Sequence, residues 1–151
     1  MFVVGKKIIK RKIEFDAEGD LGEVVPSMFE VDIERPSKPV SKEFSLLFAG
    51  FSDVLSRVAN KKEDENFSAV NFTNDLDAAE QKLSDFVKGK ISGWNHVYDI
   101  DKQLIPFNAD NLESVFADKD SRRAIFEDYQ QLVSGRKKEA EKNSEKQVDV
   151  G

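Results

Sequence analysis

The chain has 151 residues, of which 34% are charged, with a formal net charge of -6 and no cysteine. A chain of this length suits one domain that buries roughly 68–70% of its unfolded surface, and the lack of cysteine excludes disulfide frameworks, cysteine zinc sites, iron–sulfur clusters and thiol catalysis. No apolar run approaches the roughly 20 residues of a membrane span, and the acidic balance speaks against nucleic acid as a partner, because phosphate binding calls for a basic face.

The opening residues, Met1-Phe2-Val3-Val4-Gly5-Lys6-Lys7, lack the basic-then-apolar order of a signal peptide, so a cytoplasmic protein is expected. Residues 3–15 alternate as a strand does, with Val3, Ile9, Ile13 and Phe15 on one side and Lys6, Lys10, Lys12 and Glu14 on the other. Ile8 breaks the pattern, and Arg11 falls on the mainly apolar side. Residues 16–22 read as a loop, and 28–35 alternate again, Phe29, Val31 and Ile33 against Glu30, Asp32 and Glu34. These runs predict an antiparallel pair with a long connection, its basic and acidic strands placing opposite charges across the outer face. Each such pair contributes roughly 0.2–1 kcal/mol.

Pro36 and Pro39 end the strand region, and Ser41 is the expected cap of a helix over 42–60 with Phe44, Leu47, Phe48, Phe51, Val54, Leu55 and Val58 at helical spacing. Gly50 inside it costs about 1 kcal/mol relative to Ala, which suggests a close approach to another backbone. Residues 61–66 read as a loop and 67–72 as a short extended piece; Thr73 or Asn74 then caps a helix over 75–88, with Gly89 just past its end. Asn108 caps a helix over 109–117, and Asp118 or Asp120 one over 121–134 that Gly135 closes. Residues 136–151 are charged and nearly without apolar side chains, a composition that predicts a frayed helix end running into a disordered tail. The expected architecture is an α+β domain over 1–135, an N-terminal antiparallel strand pair followed by a bundle of about four helices.

Candidate chemistry is sparse. His96 is the only histidine, and neither a cysteine nucleophile nor a Gly-x-Ser-x-Gly motif accompanies it. Asp16, Glu18 and Asp20, and likewise Asp99 and Asp101, lack the spacing of a calcium loop and suit Asx turns. There is no Walker or dinucleotide fingerprint, so no enzyme, metal or cofactor is expected. Residues 91–133 instead concentrate the only Trp, the only His and both Tyr, which points to an interaction protein. Trp94 has two readings: core, covering the junction of the 75–88 helix with the final helices, or an exposed anchor of the type that dominates binding.

The order of elements in this segment resembles that of tail assembly chaperones from long-tailed bacteriophages. The resemblance rests on Ile91-Ser92-Gly93-Trp94, Val97, an acidic turn with Asp99 and Asp101, and Leu104-Ile105-Pro106-Phe107-Asn108. It continues through Asn111-Leu112-Glu113 and Arg123-Ala124-Ile125-Phe126-Glu127-Asp128-Tyr129, with a charged ending at Glu139-Ala140-Glu141-Lys142-Asn143. The family's turn usually reads Asp-x-x-Gly; here Lys102-Gln103 stands instead. The resemblance implies a non-enzymatic role in the bacterial host cytoplasm, with the tape measure protein and the tail tube protein as partners. A structural minor tail or connector protein retained in the virion is the alternative. It carries over no binding residue; Trp94, Phe107, Phe116 and Tyr129 form the candidate contact set, each with a core reading beside it. Phe-rich helical faces are also compatible with a homo-oligomer.

Overall fold

The computed structural model describes residues 7–60 and 67–149, with 136–149 as backbone only. The expected strand start at residue 3, the loop over 61–66 and the side chains of the expected tail lie outside the described residues. The period-two pattern becomes β1 (Ile8–Glu18), whose Ile9, Ile13 and Phe15 turn inward while Lys10, Lys12 and Glu14 stay in solvent. β2 (Val24–Glu34) pairs with it antiparallel, and the register sets Lys10 opposite Asp32 and Lys12 opposite Glu30, the predicted charge complement. The Lys12 ammonium is held above its usual pKa by its hydrogen bond to Glu14 and the charge of that carboxylate, with Glu30 adding to it.

The connection is short rather than long. Both strands run through what composition marks as loop, as far as the pair Glu18–Val24. The turn closes with Gly19 N donating to Glu23 O at 2.8 Å and with Gly22 at φ 79°, a value glycine adopts without strain. A third strand, β3 (Ile91–Asn95), completes a sheet of order β1-β2-β3, with Ile91 opposite Ile33 and Trp94 opposite Val31 across a bulge at Asp32 and Ile33.

α1 (Lys38–Ala59) starts earlier than predicted: Ser37, not Ser41, accepts from Val40 N, and Pro39 sits in the first turn, where a missing N–H costs nothing. No atom lies within 4 Å of a Cβ added at Gly50, so no close backbone approach explains that glycine. α2 (Ala69–Lys88) also starts early. Its cap is Ser68, accepting from Asn71 N, and the Phe67 and Phe72 rings meet at 5.9 Å across the first turn. That hydrophobic staple explains why 67–72 is not an extended piece. Thr73 donates to Ala69 O inside the helix instead of capping it.

α3 (Ala109–Ala117) has the predicted bounds, with Asn108 Oδ1 accepting from Asn111 N at 2.8 Å. α4 (Lys119–Asp149) begins just before the predicted start, and its cap is Asp118, whose carboxylate accepts from Ser121 N at 2.9 Å; Asp120 lies in its first turn, and Gly135 lies within the helix.

Among the described residues the fold is therefore α+β, an antiparallel pair extended by a third strand and accompanied by four helices. The inner sheet face (Ile13, Val31, Ile33) meets Phe44, Leu83, Phe126 and Tyr129 in one core. Arg11, the odd residue on the apolar side of β1, reaches Asp128 of α4 through two bonds of 3.0 Å and so fixes helix to sheet. Among the described residues no helix is long and apolar enough to cross a membrane.

Candidate interaction surface

The segment that leaves β3 is built by local hydrogen bonds. His96 takes φ 63°, which ends the strand, and its N–H donates to Asn95 Oδ1 at 2.9 Å. Val97 then drops into the core, and from there the chain folds back on itself. Ile105 N donates to Val97 O at 2.9 Å, Tyr98 bridges to Leu104, and Asp99 N donates to Gln103 O at 2.9 Å. At the tip the Asp99 carboxylate accepts from Asp101 N at 2.9 Å and from Gln103 N at 3.0 Å, the predicted Asx turn. Lys102 occupies the left-handed region at φ 61°.

This small hairpin presents apolar side chains to solvent: Tyr98 is 53% exposed, Ile100 94% and Leu104 61%. Burying one such side chain contributes roughly 1.5–3 kcal/mol. An ordered turn that holds several of them in water has the character of a surface another protein covers. The base of the hairpin is braced from below. The Trp94 indole N–H donates to Ile105 O at 3.0 Å, and the Trp94 ring meets Phe107 edge-on, 5.1 Å between centroids and 90° between planes.

Of the four aromatic residues singled out in the sequence, the structure brings Trp94 and Phe107 together, half-buried, beneath this hairpin. Trp94 thus packs on the 105–107 stretch and, half-buried, against the core cluster, in line with its core reading. Phe116 (4% exposed) and Tyr129 (1%) are core residues, against Phe126 at 6.4 Å and Phe44 at 4.6 Å respectively, and no partner reaches them in this conformation. Sequence reasoning missed Tyr98, Ile100 and Leu104. Their signal was present as apolar residues on both sides of a polar turn.

A cleft of about 310 Å³ lies between α2, α3 and α4, lined among others by Glu80, Lys88, Glu113 and Arg122. Its cations are paired: Lys88 with Glu113 at 2.6 Å and Asp85 at 3.4 Å, Arg122 with Glu80. Burial works against the Lys88 charge, but the hydrogen bonds and charges of Glu113 and Asp85 outweigh it and raise its pKa. Lys88 is thus held as an ammonium, not as the free amine a nucleophile needs. Set against protein-family models, curated proteins and solved structures, the chain matches none of them.

Proposed function

We propose that this protein is a tail assembly chaperone of a long-tailed phage or prophage. In this reading it binds the tape measure protein, brings tail tube subunits to it, and catalyses nothing. The observation that carries the reading is the hydrogen-bonded hairpin over 97–105 with Tyr98, Ile100 and Leu104 turned to solvent. It lies within the segment that resembles the family, and its conformation is compatible with the pattern at the one departure noted there. In an Asp-x-x-Gly turn that starts at Asp99, the glycine falls at position 102, and Lys102 adopts φ 61°, a value glycine favours. Lys102 thus holds a conformation that the glycine of such a turn would also adopt.

The test is co-expression with a candidate tape measure protein, followed by capture on a tag. The expected result is a soluble complex of the two and aggregation of the tape measure protein expressed alone. Failure to capture it would overturn the proposal. So would finding this protein in stoichiometric amount in purified particles, which would favour the retained tail component.

A further inference from the structure

Two hairpins carry most of the large apolar side chains that the described residues leave in solvent. One is the β1–β2 turn region, with Leu21 at 93% exposure, Val24 at 69%, and Val25 and Met28 near 40 and 41%. The other is the 97–105 hairpin. The register places both at the same end of the sheet. β3 runs antiparallel to β2 and its last residue, Asn95, stands opposite Glu30, so β3 ends on the side of the sheet where β2 begins.

The same register leaves the outer edge of β2 uncovered over 24–28, since β3 pairs only with 30–33. A partner strand could add to such an edge, but Pro26 sits in the middle of it. Pro26 lies in an unbroken ladder opposite Asp16, so its missing N–H belongs on the open side. Strand addition is therefore blunted. An occupant of this end uses side chains rather than a shared ladder, as a helix does.

Charge narrows the occupant further. Asp16, Glu18, Asp20 and Glu23 surround the first hairpin with no basic residue between 16 and 28, and Asp99 and Asp101 flank the second against Lys102 alone. Six carboxylates beside an apolar patch favour a partner with an apolar stripe and basic flanks. We propose that this end of the sheet binds a basic amphipathic helix of the partner protein, its apolar face on the two hairpin tips and its lysines or arginines among the carboxylates. The proposal rests on the reading of the chain as a binding protein and names the surface and the chemistry of what it binds.

Trp94, the only tryptophan, braces the second hairpin and so reports on it by fluorescence. The full-length protein is titrated with two synthetic helical peptides of one leucine pattern, one with lysines and one with glutamates on the polar face. The lysine peptide is expected to shift the emission and saturate, and the glutamate peptide to leave it unchanged. The variant Leu21→Ser/Ile100→Ser and the variant Asp20→Lys/Asp101→Lys should each weaken binding about tenfold or more. Leu46→Ser/Val70→Ser, at apolar positions on α1 and α2 that are also exposed, should bind as wild type. Equal binding of the two peptides, no saturable binding, or equal losses in all three variants would overturn the proposal.

The same variants separate this inference from the chaperone reading. If the tape measure protein is captured equally by wild type and by both hairpin variants, the surface is wrong and the chaperone reading stands. If it is captured by none while the lysine peptide follows the expected pattern, the chaperone reading fails and the surface stands.

Discussion

Tyr129 shows what burial does to one titratable group. Its ring is 1% exposed and packs edge-on against Phe44 at 4.6 Å and near Phe86 at 6.3 Å, while its hydroxyl has no hydrogen-bond partner among the described residues. Burial first, and then the charge of Glu34, push its pKa up to about 12 from the ordinary 10.0. The unfolded chain therefore loses this proton before the folded one does. Its contribution is fully present below about pH 10 and is lost as pH rises through about 12, on the order of 2 kcal/mol. In Tyr129→Phe that loss should vanish. The stability difference between wild type and variant, followed by urea unfolding from pH 9 to 12, should shift by about 2 kcal/mol against wild type. Parallel curves would refute it. At neutral pH the variant should lie within about 1 kcal/mol of wild type, because the hydroxyl gives up no protein partner. Lys102 makes the opposite case, a residue held where its own backbone disfavours it, at φ 61°. Lys102→Gly removes that strain at some cost in unfolded-chain entropy and should stabilise by about 0.5–1 kcal/mol. Calorimetry should show the melting temperature rising by about 2 °C, and a fall would mean the lysine side chain contributes more than the turn loses.

Between elements, one ion pair, Glu80 with Arg122, joins three helices. Glu80 of α2, 8% exposed, receives Arg122 Nε at 2.5 Å and Arg123 Nη2 at 3.5 Å from α4. Arg122 Nη1 also donates to Phe116 O at 3.0 Å and Ala117 O at 3.4 Å, closing the carbonyl end of α3. Glu80→Ala leaves two guanidinium groups without their counter-charge; since both keep some solvent contact, the expected cost is about 2–3 kcal/mol in urea unfolding. A loss under about 0.5 kcal/mol would show that the joint is held by apolar packing alone. Adding Arg122→Leu should recover part of the loss, the signature of a removed unpaired charge. This joint was not legible in the sequence, where Glu80 is one acid among 29. Elements whose information is local were legible: the alternation of β1 and β2, the apolar stripe of α1, and the Asn108 cap that sets the start of α3. β3 was not, because Ile91-Ser92-Gly93-Trp94-Asn95 has little strand character of its own and is extended by pairing with Val31 and Ile33. The candidate surface was half legible for the same reason. The Asp99 turn is local chemistry, whereas the burial of Tyr129 and the exposure of Ile100 depend on which faces the helices cover.

At the scale of the whole molecule, composition changes sharply along α4. Among the described side chains, the last apolar residues that α4 packs against the core are Leu132 and Val133. From Arg136 onward the chain carries five basic and four acidic residues, with Ala140, Val148 and Val150 as its only apolar side chains. A stretch of that composition has little to bury, so it adds little to the free energy that holds sheet and helices together. A chain ending at Gly135 should therefore melt within about 3 °C of the full-length protein, which for a domain of this size corresponds to about 1 kcal/mol. It should also bind the lysine peptide as the full chain does, because the carboxylates around the two hairpins are untouched and the net charge becomes more negative. A fall of more than about 5 °C would mean that residues beyond 135 pack on the domain. Unchanged melting with weakened peptide binding would instead place the charged stretch at the binding surface, and would move the boundary of the functional unit beyond that of the folded core.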